Sequence, residues 1–123
     1  MIEGIGLDIV ELDRIRRIVD RQPGFIKRIL TIEEIEKFIT LSKERKVEFL
    51  AGRFAVKEAY SKANGTGIGV EIGFQDIEVV NDDKGKPYIR ILKNNSHEMK
   101  HIHVSITHTR QYAAAQVIIE SKS

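Results

Sequence analysis

Ser42-Lys43-Glu44-Arg45-Lys46-Val47-Glu48-Phe49-Leu50-Ala51-Gly52-Arg53-Phe54-Ala55-Val56-Lys57-Glu58-Ala59-Tyr60-Ser61-Lys62-Ala63-Asn64-Gly65 is the stretch on which the fold turns. Ser42 can cap a helix by accepting a bond from a first-turn amide, and Gly65 can take the left-handed position that ends it. The spacing therefore predicts one long helix running to Asn64. At about 100° per residue, Val47, Leu50, Ala51, Phe54 and Ala55 form one apolar stripe. Continued by another turn, that stripe brings Glu58 close to its centre and Lys62 just beside it.

Upstream, Ile2 to Val10 alternates, with Ile5, Leu7 and Ile9 on one side and Gly4, Gly6, Asp8 and Val10 on the other, a strand period. A helix is expected from about Glu11 to Gln22, with Pro23-Gly24 as its stop. Thr31-Ile32-Glu33-Glu34 fits a capping box opening a short helix to about Leu41. Downstream the pattern changes. Phe74 to Val80 and Tyr88 to Leu92 read as strands around the turn Asn81-Asp82-Asp83-Lys84-Gly85-Lys86-Pro87. One helical turn is expected at His97 to Lys100. His101 to His108 and Ala113 to Ile119 then complete a meander joined near Thr109-Arg110-Gln111. Helices in a block followed by antiparallel strands give an α+β domain over residues 1–123, its antiparallel sheet packed against the long helix and shorter N-terminal helices.

Composition narrows the function. Lys and Arg number 20 against 18 Asp and Glu, a net +2, and 41% of residues are hydrophobic, which excludes a disordered chain. With no cysteine there is neither a disulfide framework nor a thiolate site nor a thiol nucleophile. Acidic residues interrupt the first turns, so no secretory signal is expected. No apolar run is long enough to span a membrane, and a cytoplasmic location is the expectation. A small basic nucleic-acid-binding module is the main alternative to an enzyme. Aromatic residues make up only 7% and form no stacking platform, so no nucleic-acid partner is expected.

Two carboxylates stand in unusual places. Glu58 on an apolar stripe is costly unless it pairs with Lys62 four residues on or meets a cation. Asp8 follows two glycines on its strand face, which leaves room for something to approach the backbone. Asp8 could instead cap the next helix. Two carboxylates and a lysine suit Mg²⁺, which is typically shared between one or two carboxylates and substrate phosphates.

Gly6-Leu7-Asp8-Ile9-Val10 followed by Phe54-Ala55-Val56-Lys57-Glu58-Ala59-Tyr60-Ser61-Lys62-Ala63 resembles the 4′-phosphopantetheinyl transferases, in particular their short bacterial, trimeric type, the holo-acyl-carrier-protein synthases. The resemblance runs from Ile5 through Ile119. It includes Gly65-Thr66-Gly67, Phe74-Gln75-Asp76-Ile77 and Val104-Ser105-Ile106-Thr107-His108-Thr109. Lys93 to Lys100 departs from it, being shorter and more polar than the family pattern.

The resemblance implies transfer of phosphopantetheine from coenzyme A, the co-substrate, to a serine of apo acyl carrier protein, with release of adenosine 3′,5′-bisphosphate. It implies that Asp8 and Glu58 hold Mg²⁺ and that Lys62 contacts a phosphate or the leaving oxygen. The serine proton falls to Glu58 or to a water on the metal, and a carboxylate engaged by Mg²⁺ and Lys62 is the poorer base. Ser105 and His108 match positions near the nucleotide. Arg45 and Arg53 match candidates for the 3′-phosphate. Gly65, Thr66 and Gly67 could admit pyrophosphate or pantetheine by close backbone approach, or could simply end the helix. Arg14, Arg17 and Arg21, within about 60° on a helical wheel with Ile18 at their edge and Phe25-Ile26 beyond, form an expected docking face for the acidic carrier. Leu12, Ile15 and Val19 are the expected core side. Larger family members look like two such domains joined, so this unit is expected to form a homotrimer with its sites at subunit boundaries.

Overall fold

A computed structural model describes residues 1–93 and 100–122. The chain runs β1 (Ile2–Glu11), α1 (Leu12–Arg21), α2 (Pro23–Ile29), α3 (Ile32–Phe38), α4 (Lys43–Asn64), a 3₁₀ turn at Phe74–Asp76, β2 (Ile77–Asn81), β3 (Pro87–Ile91), β4 (Lys100–His108) and β5 (Tyr112–Ser121). This is the α+β architecture expected from the sequence. Both termini of α4 form as read: the Ser42 side chain accepts from the Arg45 amide, and Gly65 ends the helix at φ 88°. The Thr31–Glu34 capping box is complete at the start of α3.

Several boundaries move for identifiable reasons. Pro23 opens α2 rather than merely ending α1, because a first-turn position needs no amide donor. Phe74 to Asp76 forms a 3₁₀ turn held by the Asp76 side chain accepting from the Gly73 amide at 2.7 Å, so β2 starts later than the alternation suggests. The helical turn expected at His97 to Lys100 falls mostly outside the described residues, and Lys100 itself begins β4. The last strands do not continue one meander. β2 and β3 form their own two-stranded sheet, while β1 joins β5 and β4 in the order β1-β5-β4, all antiparallel.

The long helix is buried along most of its surface, beyond the single stripe. Its apolar stripe is fully in the core, and Val56, Ala59, Tyr60 and Ala63 are buried as well. Two contacts set its seat on the sheet. A Cβ added at Gly6 would lie 1.8 Å from the Ala59 carbonyl oxygen, and one at Gly4 would lie 1.9 Å from that of Ala63. The glycines are therefore where strand and helix backbones touch, and what approaches the strand is the protein's own helix.

The same helix buries a charge that its pattern did not single out. Lys57 is 0% exposed, and its Nζ lies 2.6 Å from both Glu34 Oε1 and the Ile29 carbonyl. Glu34 also accepts from the Thr31 and Val79 amides at 2.9 and 2.8 Å. Burial holds the Lys57 ammonium below its usual range, while Glu34 opposes that shift. The pair ties α3, α4 and β2 together. Removing one partner of such a pair costs about 3–5 kcal/mol, because the other charge is left buried alone.

Gly6→Ala is expected to destabilise the protein by about 3 kcal/mol or more, at the upper end of overpacking costs, because its clash is with backbone. Chemical denaturation should show it. Gly24→Ala, at a position where an added Cβ meets nothing within 4 Å, should change stability by about 1 kcal/mol or less.

Candidate active site

The close approach at Gly4 and Gly6 fixes what lies at the next inward position of β1. Asp8 faces the C-terminal half of α4, and Lys62 Nζ lies 3.1 Å from both Asp8 Oδ1 and the Leu7 carbonyl oxygen. The pairing of Lys62 is thus with the strand, not with Glu58 one turn earlier. Asp8 is not the cap of α1 either: that position belongs to Glu11, whose side chain makes no capping bond. Glu58 is half-buried and takes part in no ion pair among the described residues. Burial raises its pKa above the ordinary carboxylate range, and the nearby Asp8 charge adds to the shift. Lys62 and Arg14 oppose it. Two carboxylates that repel each other beside a single lysine are a net-acidic pair suited to a hard cation. No cluster of three or more His, Cys, Asp or Glu gathers for a metal among the described residues. The donor set therefore fits an ion that retains waters and phosphate oxygens, as Mg²⁺ does.

Arg14, on α1, borders this cluster: its guanidinium carbon lies 5.6 Å from the centroid of the Phe54 ring, which itself stacks on Phe74 at 5.5 Å. Arg17 and Arg21 are exposed on the same helix. Ile18 and Ile26 are corrections. Both are core residues, because α1 turns Ile18 inward beside Leu12 and Ile15, and α2 returns to cover them. Phe25 stays half-buried against that core.

Arg45, Arg53 and His108 meet elsewhere. They line a cleft of about 540 Å³ between the N-terminal half of α4, α3, β2 and the end of β4. Ser105 is not with them, since strand alternation puts it on the opposite, exposed face of β4. At the C-terminal end of α4, the Gly65 amide bonds the Lys62 carbonyl, and those of Thr66 and Gly67 both bond that of Ser61. The backbone of that loop is spent on ending the helix, and the exposed Thr66 hydroxyl donates to the Gly67 carbonyl at 3.0 Å while accepting from the Asn64 side-chain amide at 3.4 Å. Reading the sequence also passed over Phe49 and Asn81, which hold Arg53. Nothing in a one-dimensional pattern links β2 to α4.

The model of the 4′-phosphopantetheinyl transferase superfamily matches residues 4–117. This chain belongs to that superfamily. Among similar members, the holo-[acyl-carrier-protein] synthase of Bacillus subtilis (strain 168) is 58% identical over 123 residues, covering 100% of this chain and 99% of its own. That of Bacillus pumilus (strain SAFR-032) is 54% identical with the same coverage. A solved structure of a holo-(acyl-carrier-protein) synthase from Bacillus anthracis str. Ames, in complex with CoA (3′,5′-ADP), aligns with a TM-score of 0.89 at 50% identity, covering 98% of each chain. In this transferase, Asp8, Glu58 and Lys62 form the acidic centre, and the arginine cleft lies at the other end of the same helix.

The raised pKa of Glu58 gives a pH test. The folded chain keeps a proton that the unfolded chain has released, so this group's contribution falls as pH rises from the ordinary carboxylate pKa through the raised one. At about pH 7, without divalent cation, Glu58→Gln should melt about 1–3 °C higher than the native protein, an effect held small by solvent screening. The difference should vanish at low pH, and Mg²⁺ should stabilise the native protein more than the variant.

Proposed function

We propose that this chain moves the 4′-phosphopantetheine group of coenzyme A onto a serine hydroxyl of apo acyl carrier protein, with Mg²⁺ at Asp8 and Glu58. The observation that carries the reading is the convergence of those two carboxylates with Lys62 where β1 meets α4. The names of the similar proteins and the coenzyme A complex of the B. anthracis structure support it.

In the reaction the serine oxygen bonds to the β-phosphorus, the bond from that phosphorus to the bridging oxygen breaks, and adenosine 3′,5′-bisphosphate leaves as the serine gives up its proton. Mg²⁺, when bound, supplies charge neutralisation on the pyrophosphate oxygens. Lys62 is already oriented by Asp8 and the Leu7 carbonyl, so its ammonium is fixed for a phosphate oxygen before substrate arrives. The Thr66 hydroxyl would have to exchange its bonds to Gly67 and Asn64 to meet a phosphate oxygen. Arg14, Arg17 and Arg21, with Phe25 beside them, would receive the acidic carrier, and Arg14 carries that basic face up to Glu58. Exposed charges of this kind act mainly on association rate.

Within one chain the nucleotide-binding candidates Arg45, Arg53 and His108 are separated from this centre: Arg45 precedes Glu58 by about 20 Å of helix, and Arg53, only about 8 Å before it, points about 140° round the helix axis. A homotrimer with each cleft serving a neighbour's carboxylates resolves the separation. The outer face of the three-stranded sheet supports it, because Ile5, Leu7 and Ile9 are 57%, 62% and 64% exposed in a row. Ser105 lies on that same outer face and would reach coenzyme A only across the boundary.

Mixing the protein with apo carrier, coenzyme A and Mg²⁺ should add one phosphopantetheine to the carrier by mass spectrometry. No gain from a folded oligomer would overturn the proposal. Asp8→Ala and Glu58→Ala should each lower the rate by about a hundredfold or more. Arg14→Glu should instead raise KM for the carrier and weaken its salt dependence.

Leu7→Asp should shift sedimentation from trimer to monomer and abolish turnover. An active monomer would sink the shared-site arrangement.

A further inference from the structure

Arg53 is held in an unusual way. Its guanidinium carbon lies 4.0 Å from the centroid of the Phe49 ring, and its closest polar partner is Asn81, whose Oδ1 accepts from Nη2 at 3.5 Å. Its Nε is buried with no hydrogen-bond partner, the one such side-chain atom among the described residues. Four glutamates border the same cleft, yet none lies within ion-pair distance of Arg53. Glu34 is committed to Lys57, Glu78 to Arg90 and Thr31, and the Glu48 carboxylate lies 3.8 Å from His108. An arginine that is desolvated without a carboxylate is ordinarily expensive. Stacking changes the balance, because an aromatic face fixes the plane of a guanidinium while leaving its N–H edge unspent. Phe49 is braced in turn by Phe38, whose ring centroid is 6.2 Å away and tilted by 51°.

We propose that Phe49 is a positioning residue that presents Arg53 as an unneutralised fork for a phosphate monoester, making the cleft selective for a cosubstrate carrying one on its ribose. A carboxylate in place of Phe49 would hold the arginine equally well but would consume the donors and cancel the charge. Arg45 and His108 face the same space and complete a site for a dianion. The inference rests on the proposed reading that this cleft receives the nucleotide end of coenzyme A. It adds the element that prepares the arginine.

The test compares coenzyme A with 3′-dephospho-coenzyme A as donor, measuring KM and kcat for Phe49→Leu, Phe49→Tyr and Arg53→Ala, each checked for a native melt and oligomer. Phe49→Leu should raise KM for coenzyme A by about three- to tenfold, leave kcat nearly unchanged, and leave KM for the dephospho donor where it was. Phe49→Tyr, which keeps an aromatic face, should restore the native value. If Phe49→Leu affects both donors equally, or if the tyrosine variant behaves like the leucine one, Phe49 is only a packing residue and the proposal is wrong. Arg53→Ala tests the underlying reading separately: it should erase the preference for the phosphorylated donor. A preference that survives Arg53→Ala undiminished would remove Arg53 as the phosphate contact and overturn the role of Phe49 with it.

Discussion

Backbone against backbone is the constraint from which the rest follows. Where β1 crosses α4, Gly4 and Gly6 lie so close to the carbonyls of Ala63 and Ala59 that no side chain fits between them. That contact fixes the distance, the angle and the register of strand and helix at once. Asp8 is the next inward position on the strand, and Glu58 and Lys62 stand on the helix beside the touching turn. Two residues far apart in sequence thus share a site because two glycines allow the elements that carry them to meet. β5 serves the same end from the other side. Its Ala113 and Ala115, paired with Val10 and Asp8, are small and buried.

The charges in this fold are handled in three ways. Lys57 and Glu34 are fully buried and satisfied by each other and by backbone groups, and they lock three elements. Asp8 and Lys62 are paired at the surface, where solvent can still reach the lysine. Glu58 and Arg53 are the opposite case, each partly desolvated and without an ion-pair partner among the described residues. An unpaired carboxylate and an unpaired guanidinium, five residues apart on different faces of one helix, are the groups that a cation and a phosphate would stabilise most. Adjacent residues can therefore differ in kind: Lys57 is buried and ties the helix to its neighbours, while Glu58 is left without an ion pair beside Asp8.

Much of this was legible beforehand. The capping box at Thr31, the serine cap and glycine end of α4, and the alternation of β1 are local signals, and local hydrogen bonding enforces them. Asp8 and Glu58 were legible because each breaks the pattern of its own element. The arginine face of α1 was half legible. The wheel grouped Arg14, Arg17 and Arg21, but it put Ile18 at the surface, because only the packing of α2 over α1 shows that Ile18 and Ile26 complete the core. Lys57 was invisible as a buried charge. On a helix taken alone it is one more lysine, and only α3 supplies the carboxylate that makes its burial tolerable.

The sequence by itself determined most of the elements, the ends of α4 and the candidate reactive groups, since these depend on backbone preferences and periodicities that reach across a few residues. Tertiary structure decided which of those groups meet. It paired β1 with β5 rather than leaving it alone, joined Lys62 to Asp8 instead of Glu58, and sent Arg45, Arg53 and His108 to a separate cleft. Such pairings depend on close packing between segments remote in the chain, where a difference of one methyl group at Gly6 decides whether two backbones can touch at all.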